Sequence, residues 1–366
     1  MNKCRYCDFN SSDSHGISVH GYAELLKTEI RGAAALEQLS TIYFGGGTPS
    51  LLPPEEIAEI IQLLDSRFGI NPDAEITLEA NPGTVTTESL TGYLSGRVNR
   101  LSLGVQSLDD RMLRFLGRVH TADEAKAAFR QARQAGFSNI GIDLIHSLPG
   151  QSRADWQETL EEAIELKPEH ISAYGLSIEP GTPFFVSLEA GELQPAEEEL
   201  SEEMFVLTSE LLQEVGYEQY EISNFARPGK RSRHNQVYWQ RQAYRGFGAG
   251  AHSFCLDGGF GNRWSNPDDI NSYTAMLQNR SIPCKEQLSK ADAMAEFFFL
   301  GLRMLDGINP ELFCHQFGRS IDEAYPGLIR RLMESGLLQQ NGNLLSLSSR
   351  GLLLSNLVLA EFLSNP

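Results

Sequence analysis

The spacing of apolar residues changes period several times along the chain, and each change marks an element. TIYF (41–44) is a short apolar run closed by glycines. After Pro53-Pro54, residues Ile57, Ile60, Ile61, Leu64 and Phe68 recur every three or four positions, the stripe of an amphipathic helix. EITLE (75–79) and RLSLGV (100–105) alternate apolar and polar, as strands do. Thr121 and Glu124 form a capping box for the helix ADEAKAAFRQARQA, which Gly136 ends. NIGIDLI (139–145) reads as a strand. Trp156, Leu160, Ala163 and Ile164 mark a helix stopped before Pro168. HISAYGLSI (170–178) reads as another strand, and Ser201 starts a helix carrying Met204, Leu207, Leu211 and Val215. A further helix is expected over 19–30.

Strands alternating with helices imply parallel βαβ units, which fit a doubly wound sheet or a barrel. The polar residues decide. Glu79, Gln106 and Asp143 lie at or just past the C-terminal ends of strands, the face on which α/β barrels gather their sites. The last hundred residues read differently. A long helix is expected over 286–306 and another over 322–335. Asn341-Gly342 is a hairpin turn, and Ser349 caps a final helix. Helix, hairpin and helix resemble a winged-helix module, read here as a packing or lid domain rather than a DNA reader.

Charge bears on that choice. The 366 residues carry 30 Lys and Arg against 48 Asp and Glu, a net charge of −18. Without a basic run, this argues against nucleic acid and anionic membranes as partners. The most apolar late stretch, LLLSNLVLAEFL (352–363), is too short and interrupted to span a bilayer, so no integral membrane segment is expected. Five cysteines do not make a disulfide scaffold at this length, and a cytoplasmic location is expected.

The candidate chemistry starts at Cys4-x-x-Cys7. With His15 and His20 the pair offers four zinc ligands, but the gap from Cys7 to His15 is short for a finger. A cubane iron–sulfur cluster needs three thiolates and leaves its fourth iron open. KCRYCDFNS (3–11) resembles the end of the radical S-adenosylmethionine signature, Cys-x3-Cys-x2-Cys, with Cys4 and Cys7 as its second and third thiols. The first thiol would then fall just before Met1, so a start inside the motif is expected, through a misassigned initiation codon rather than a decayed copy. YFGGGTPS (43–50), LEANPGT (78–84), LSLGVQSLDD (101–110), GRVH (117–120), GIDLIHSLPGQS (141–152) and SAYGLSIEPGTPF (172–184) follow. Their order resembles the oxygen-independent coproporphyrinogen III oxidase-like family over nearly the whole chain.

The resemblance implies a partial (β/α)6 radical S-adenosylmethionine barrel, its first strand missing, over 1–255, and a helical, winged-helix-like domain over 256–366. It implies a [4Fe-4S] cluster at Cys4 and Cys7, and contacts to S-adenosylmethionine from Gly46, Gly47, Thr48, Glu79, Gln106, Arg118 and Asp143. The residue types suit a ligand bearing an ammonium, a carboxylate, a sulfonium and hydroxyls. Tyr6 is placed near the adenine, and Ser177 is a weaker candidate there.

Within the family, Phe9 stands where the true oxidase continues its motif with a further cysteine. CDFNS, YEISNFARPGKRSRHNQVYWQ (220–240) and YRGFGAGAHSF (244–254) resemble the branch of HemW-type haem chaperones. That branch implies binding of haem and its delivery to haem-accepting proteins, with no catalytic residue assigned for porphyrinogen oxidation. His234 is the candidate axial ligand of the haem iron, beside Tyr238 and Trp239, with Arg231 and Arg233 for propionates. The alternatives are the oxidase itself and a haem-binding pseudoenzyme lacking the cluster. Cys255, Cys284 and Cys314 have no mutual spacing of note.

Overall fold

The computed structural model describes residues 3–8, 10 and 16–363. After the thiol loop the chain forms α1 (Val19–Gly32), β1 (Leu39–Phe44), α2 (Pro54–Phe68), β2 (Ile70–Ala80), α3 (Thr87–Ser95) and β3 (Arg100–Gln106). Two helices follow, α4 (Asp110–Leu116) and α5 (Ala122–Ala135). Then come β4 (Ile140–His146), α6 (Arg153–Glu165), β5 (His170–Gly175), α7 (Pro183–Glu189) and α8 (Glu198–Glu214). The hairpin β6 (Glu218–Glu221) and β7 (Asn224–Ala226) leads into α9 (Arg233–Trp239). The sheet runs β1-β2-β3-β4-β5-β7-β6. Its first five strands are parallel, and β7 joins β5 antiparallel. The expected parallel barrel therefore closes with an antiparallel pair in its sixth position. The ladder edge at β1 is faced by α9, where His234 bonds Thr41.

The alternation along the strands sorts side chains between two environments. Ile76, Leu78, Leu101, Leu103, Ile140, Ile142 and Ile171 join one core with the stripe of α2 and with Phe129 and Trp156. The intervening residues, among them Tyr43, Thr77, Glu79, Arg100, Ser102, Asp143, His170 and Ser172, turn the other way, into the barrel lumen. Their mutual hydrogen bonds place them there. Burying the apolar set stabilises the sheet at about 25 cal/mol per Å² removed from water; the polar set needs partners instead.

A three-stranded antiparallel sheet follows, β8 (His252–Cys255), β9 (Asn262–Ser265) and, after α10 (Ile270–Gln278), β10 (Glu286–Gln287). The remainder is α11 (Lys290–Gly301), α12 (Pro310–Phe317), α13 (Ile321–Ala324), α14 (Leu328–Glu334), the hairpin β11 (Leu338–Asn341) and β12 (Leu344–Leu347), α15 (Ser349–Leu353) and α16 (Ser355–Ala360). These elements share a second core around Phe298, Phe313, Phe317 and Phe362.

Several boundaries differ from the sequence reading; the helix expected to start at Ser201 starts at Glu198. The strand expected to run to 178 stops at Gly175. The helix expected over 286–306 starts at Lys290, because Ser289 and Asp292 cap it there and 286–287 pair with β9. The helix expected over 322–335 is two pieces. Pro326 disfavours a helical residue before it, Tyr325 leaves the helical region at φ −130°, and Gly327 sits at φ 70°. The final cap is Ser348, whose hydroxyl accepts from Gly351 N–H, not Ser349.

Candidate functional site

The C-terminal ends of β1 to β4 supply the site. At the end of β1, Gly46 takes φ +105°, a conformation that side chains rarely adopt, and its N–H donates to Glu79 Oε2 at 3.2 Å. The Tyr43 hydroxyl donates to Glu79 Oε1 at 2.8 Å. On β4, both Asp143 oxygens accept from the Ser102 hydroxyl of β3, at 3.0 and 3.3 Å. Burial among protein atoms pushes Glu79 up to about 7 and raises Asp143. The two carboxylates stand on the same lumen wall, since Glu79 registers with Ser102 and Asp143 with Gly104.

Gln106 ends β3 at φ 68°, unusual for a residue with a side chain, where the register with β4 slips. Such strain is held where surrounding contacts over-determine it, commonly at sites. Gly104 makes room nearby. A Cβ there would lie 2.9 Å from Gln106 Nε2 and 3.2 Å from Asn81 Oδ1. Into that room reaches Arg118. It donates to Asn81 Oδ1 at 2.5 Å, to the Gly104 carbonyl at 2.7 Å and to Cys4 Sγ at 3.4 Å. Its buried Nε has no protein partner among the described residues. Asn81 also donates to Thr48 Oγ1 at 3.2 Å, tying the glycine-rich turn to the same network.

The thiol loop is fastened over this mouth by backbone bonds. Arg5 N–H donates to the Leu116 carbonyl and Phe184 N–H to the Arg5 carbonyl, each at 3.1 Å; Cys7 N–H donates to the Cys4 carbonyl at 3.3 Å. Both cysteines are half-buried thiols outside any disulfide. Tyr6 packs beside Met112, Leu116 and Phe184, and burial raises its hydroxyl. Cys4, Tyr6, Gly46, Thr48, Glu79, Gln106, Arg118 and Asp143 thus share one mouth. Ser177 lies outside the strand on an exposed loop and donates to the Glu179 carboxylate. Phe9 and His15 lie outside the described residues. His20, the other histidine of the zinc alternative, bonds Glu56. Among the described residues the one cluster of potential metal ligands is Glu24, Glu56 and Glu59, and Lys27 pairs with all three.

His234 stands deeper in the lumen. Its Nδ1 pairs with Thr41 Oγ1 and its Nε2 with Tyr238 OH, each at 2.8 Å, and its ring stacks on Tyr43 at 4.9 Å. Burial brings it down to about 4, so it is neutral near pH 7. Glu75 accepts from the backbone N–H groups of Arg233 and His234 and fixes the start of α9. Arg231 pairs with Asp306 at 2.5 Å, and Arg233 donates to the Asp73 carbonyl at 2.6 Å. Trp239 lies under the Arg303 guanidinium, 4.4 Å from its ring centroid. Both border a cavity of about 280 Å³ walled by Phe299, Leu300, Leu359 and Leu363. Tyr43, Asn81, Ser102 and Gly104 were not picked out from the sequence. Their signal was positional: each lies on a strand from β1 to β3 or just past its end, within four residues of a residue that was.

Comparison with known proteins accords with this geometry. Residues 1–163 match the Radical SAM superfamily model, and 288–354 match the HemN C-terminal domain. Heme chaperone HemW of Bacillus subtilis is 34% identical, over 98% of this chain and 96% of that protein. Heme chaperone HemW of Escherichia coli is also 34% identical, over 100% and 96%. The structure of coproporphyrinogen III oxidase (HemN) from Escherichia coli, described as a radical SAM enzyme, superposes with a TM-score of 0.83 over 99% of this chain and 87% of that one. At 21% identity this likeness speaks for the fold.

Proposed function

The chain belongs to the HemW family of the radical SAM superfamily, and from that membership we propose that it is a haem chaperone, binding haem and passing it to acceptor haemoproteins. Its scaffold, in this reading, carries a [4Fe-4S] cluster and S-adenosylmethionine. The observation that carries the reading is the convergence of two thiols, a guanidinium and two carboxylates on one barrel mouth. The residue set fits S-adenosylmethionine and supplies two of the three thiolates that a [4Fe-4S] cluster needs. Cys4 and Cys7 offer sulfur to iron. Arg118, with its free buried Nε, suits the cofactor carboxylate, and Glu79 and Asp143 suit its ammonium and hydroxyls. Gly46, Gly47, Thr48, Gln106 and Tyr6 complete the proposed cofactor contacts. When bound, the cluster supplies an iron with an open coordination position and the cofactor supplies a sulfonium.

For haem, support comes from the relatives' names and from the apolar cavity that Trp239 borders; His234, the proposed iron ligand, would have to release Thr41 or Tyr238 to reach a metal. We place the protein's action in the cytosol, where free thiols persist. No described helix is long and apolar enough to cross a membrane.

Haem titration of the anaerobically purified protein tests the proposal. Saturable binding followed by loss of haem to an added apo-haemoprotein is expected; no saturable binding would refute it. Decarboxylation of coproporphyrinogen in an anaerobic assay would favour the oxidase reading instead.

A further inference from the structure

Below the mouth lies a charge that the cofactor contacts do not use. Arg100 opens β3 and is 1% exposed. Its Nη1 reaches only Thr77 Oγ1, at a long 3.5 Å, and its Nε has no partner. Among the described residues no carboxylate oxygen lies within 4.0 Å of it. A guanidinium stays protonated in proteins, and a buried charge without compensation is strongly unfavourable. The lumen floor offers no anion to take it up. His170, fully buried, bonds Tyr220 OH through Nε2 and leaves Nδ1 unpartnered. A Cβ on Gly141 would lie 3.4 Å from Arg100 Nη2 and 3.5 Å from that Nδ1. Burial first, and the Arg100 charge second, hold both His170 and His234 in their neutral forms.

The groups that face Arg100 with opposite charge stand one layer higher. They are Glu79 on β2 and Asp143 on β4; burial, and for Glu79 also the Asp143 charge, favours the neutral acid, while hydrogen bonds from Tyr43 and Gly46 to Glu79 and from Ser172 to Asp143, and then the Arg100 charge, favour the anion. Their hydrogen bonds agree. The Gly46 N–H can only donate, and every protein group bonded to either carboxylate is an N–H or a hydroxyl. Other ionisable neighbours are spoken for. Glu75 is occupied by the start of α9, Glu221 by Asn224 and Arg303, and Arg118 by Asn81 and Cys4. Burial raises the hydroxyls of Tyr43 and Tyr174, which stay neutral.

We infer that Arg100 is a positioning residue. It supplies the buried positive charge against which Glu79 and Asp143 present a paired anionic surface to a cationic ligand in the lumen. The inference rests on the S-adenosylmethionine reading above, and that cofactor carries both an ammonium and a sulfonium. Arg100 does not touch the ligand in this scheme; it acts through the two carboxylates.

Calorimetric titration of the anaerobic holoprotein with S-adenosylmethionine, from about pH 6 to about pH 8.5, tests it. Arg100→Met is expected to weaken binding about tenfold or more at neutral pH, with part of the loss recovered as pH rises and the carboxylates ionise. Arg100→Lys keeps the charge, and binding within about threefold of wild type is expected. It decides the matter even if the Met variant fails to fold. A Lys variant weakened about tenfold, or a Met variant with unchanged or pH-independent affinity, would overturn the inference alone. A wild type that binds no S-adenosylmethionine would overturn the cofactor reading and this inference with it.

Discussion

In the C-terminal core Phe298 lies flat on Phe362, ring centroids 4.2 Å apart, and meets Phe313 and Tyr325 at 5.3 and 5.2 Å. In the barrel lumen Tyr43 bonds a carboxylate, Arg100 has no anion beside it, and a ring nitrogen of the buried His170, Nδ1, lacks a partner. The first region is self-sufficient: its rings satisfy one another by dispersion and burial. The second is built from groups that cost free energy when buried and regain it only through partners. The contrast separates a region whose contacts are complete from one that a ligand completes.

Acid should separate them most. His120, His146 and His234 are brought down to about 4 by burial, and His170 lies well below its ordinary value. A base depressed in the folded state contributes stability that is lost as pH falls from its unfolded value toward its folded one. On the order of 10 kcal/mol should therefore go between about pH 6.5 and about pH 4, less an opposing term from Glu79. The C-terminal core buries no histidine. Hydrogen exchange should show the strands of the barrel opening first on acidification; simultaneous opening of both regions would break the contrast.

Truncating the aromatic stack comes next. Phe298 is fully buried, and Phe298→Ala should cost about 3–4 kcal/mol, read as a lowered denaturant midpoint. S-adenosylmethionine affinity should hold within about twofold, because the residue is remote from the mouth. A large loss of affinity would show that the two regions are one cooperative unit.

The smallest effect sharpens the picture of the mouth. Glu79, raised to about 7 in the folded protein, binds a proton that the unfolded chain releases above about pH 4.5. Its ionisation thus removes stability as pH rises through that window. Glu79→Gln should stabilise the ligand-free protein at neutral pH by about 1 kcal/mol, the open mouth screening the remainder, and by nothing near pH 4.5. The same change should abolish the cation contact. A variant that loses both stability and affinity would mean that the carboxylate is structural.

Much of the site was legible in the sequence. The glycine run, Glu79, Gln106, Arg118 and Asp143 stand in order, and the structure brings them to one mouth with Cys4 and Tyr6. Ser177 was not placed there, because β5 ends at Gly175 and the following loop turns it toward Glu179. The helices misjudged near the C-terminus share a cause. An apolar run such as AMAEFFFLGLRML gives the helical period, but caps and a proline set the ends.

What the sequence settled by itself was alternation. Nearly every second residue of β2 to β5 is apolar, and such a strand has one face for a core and one for something polar, because successive side chains point to opposite faces. Register and closure decided the rest. Only when parallel pairing set Glu79 beside Ser102 and Gly104 beside Asp143 did two carboxylates share a wall. Only the curl of the sheet left Arg100 beneath them without an anion of its own. Pairing energies fall off within a few ångströms, so such assignments depend on distances that residues far apart in the chain acquire only by folding.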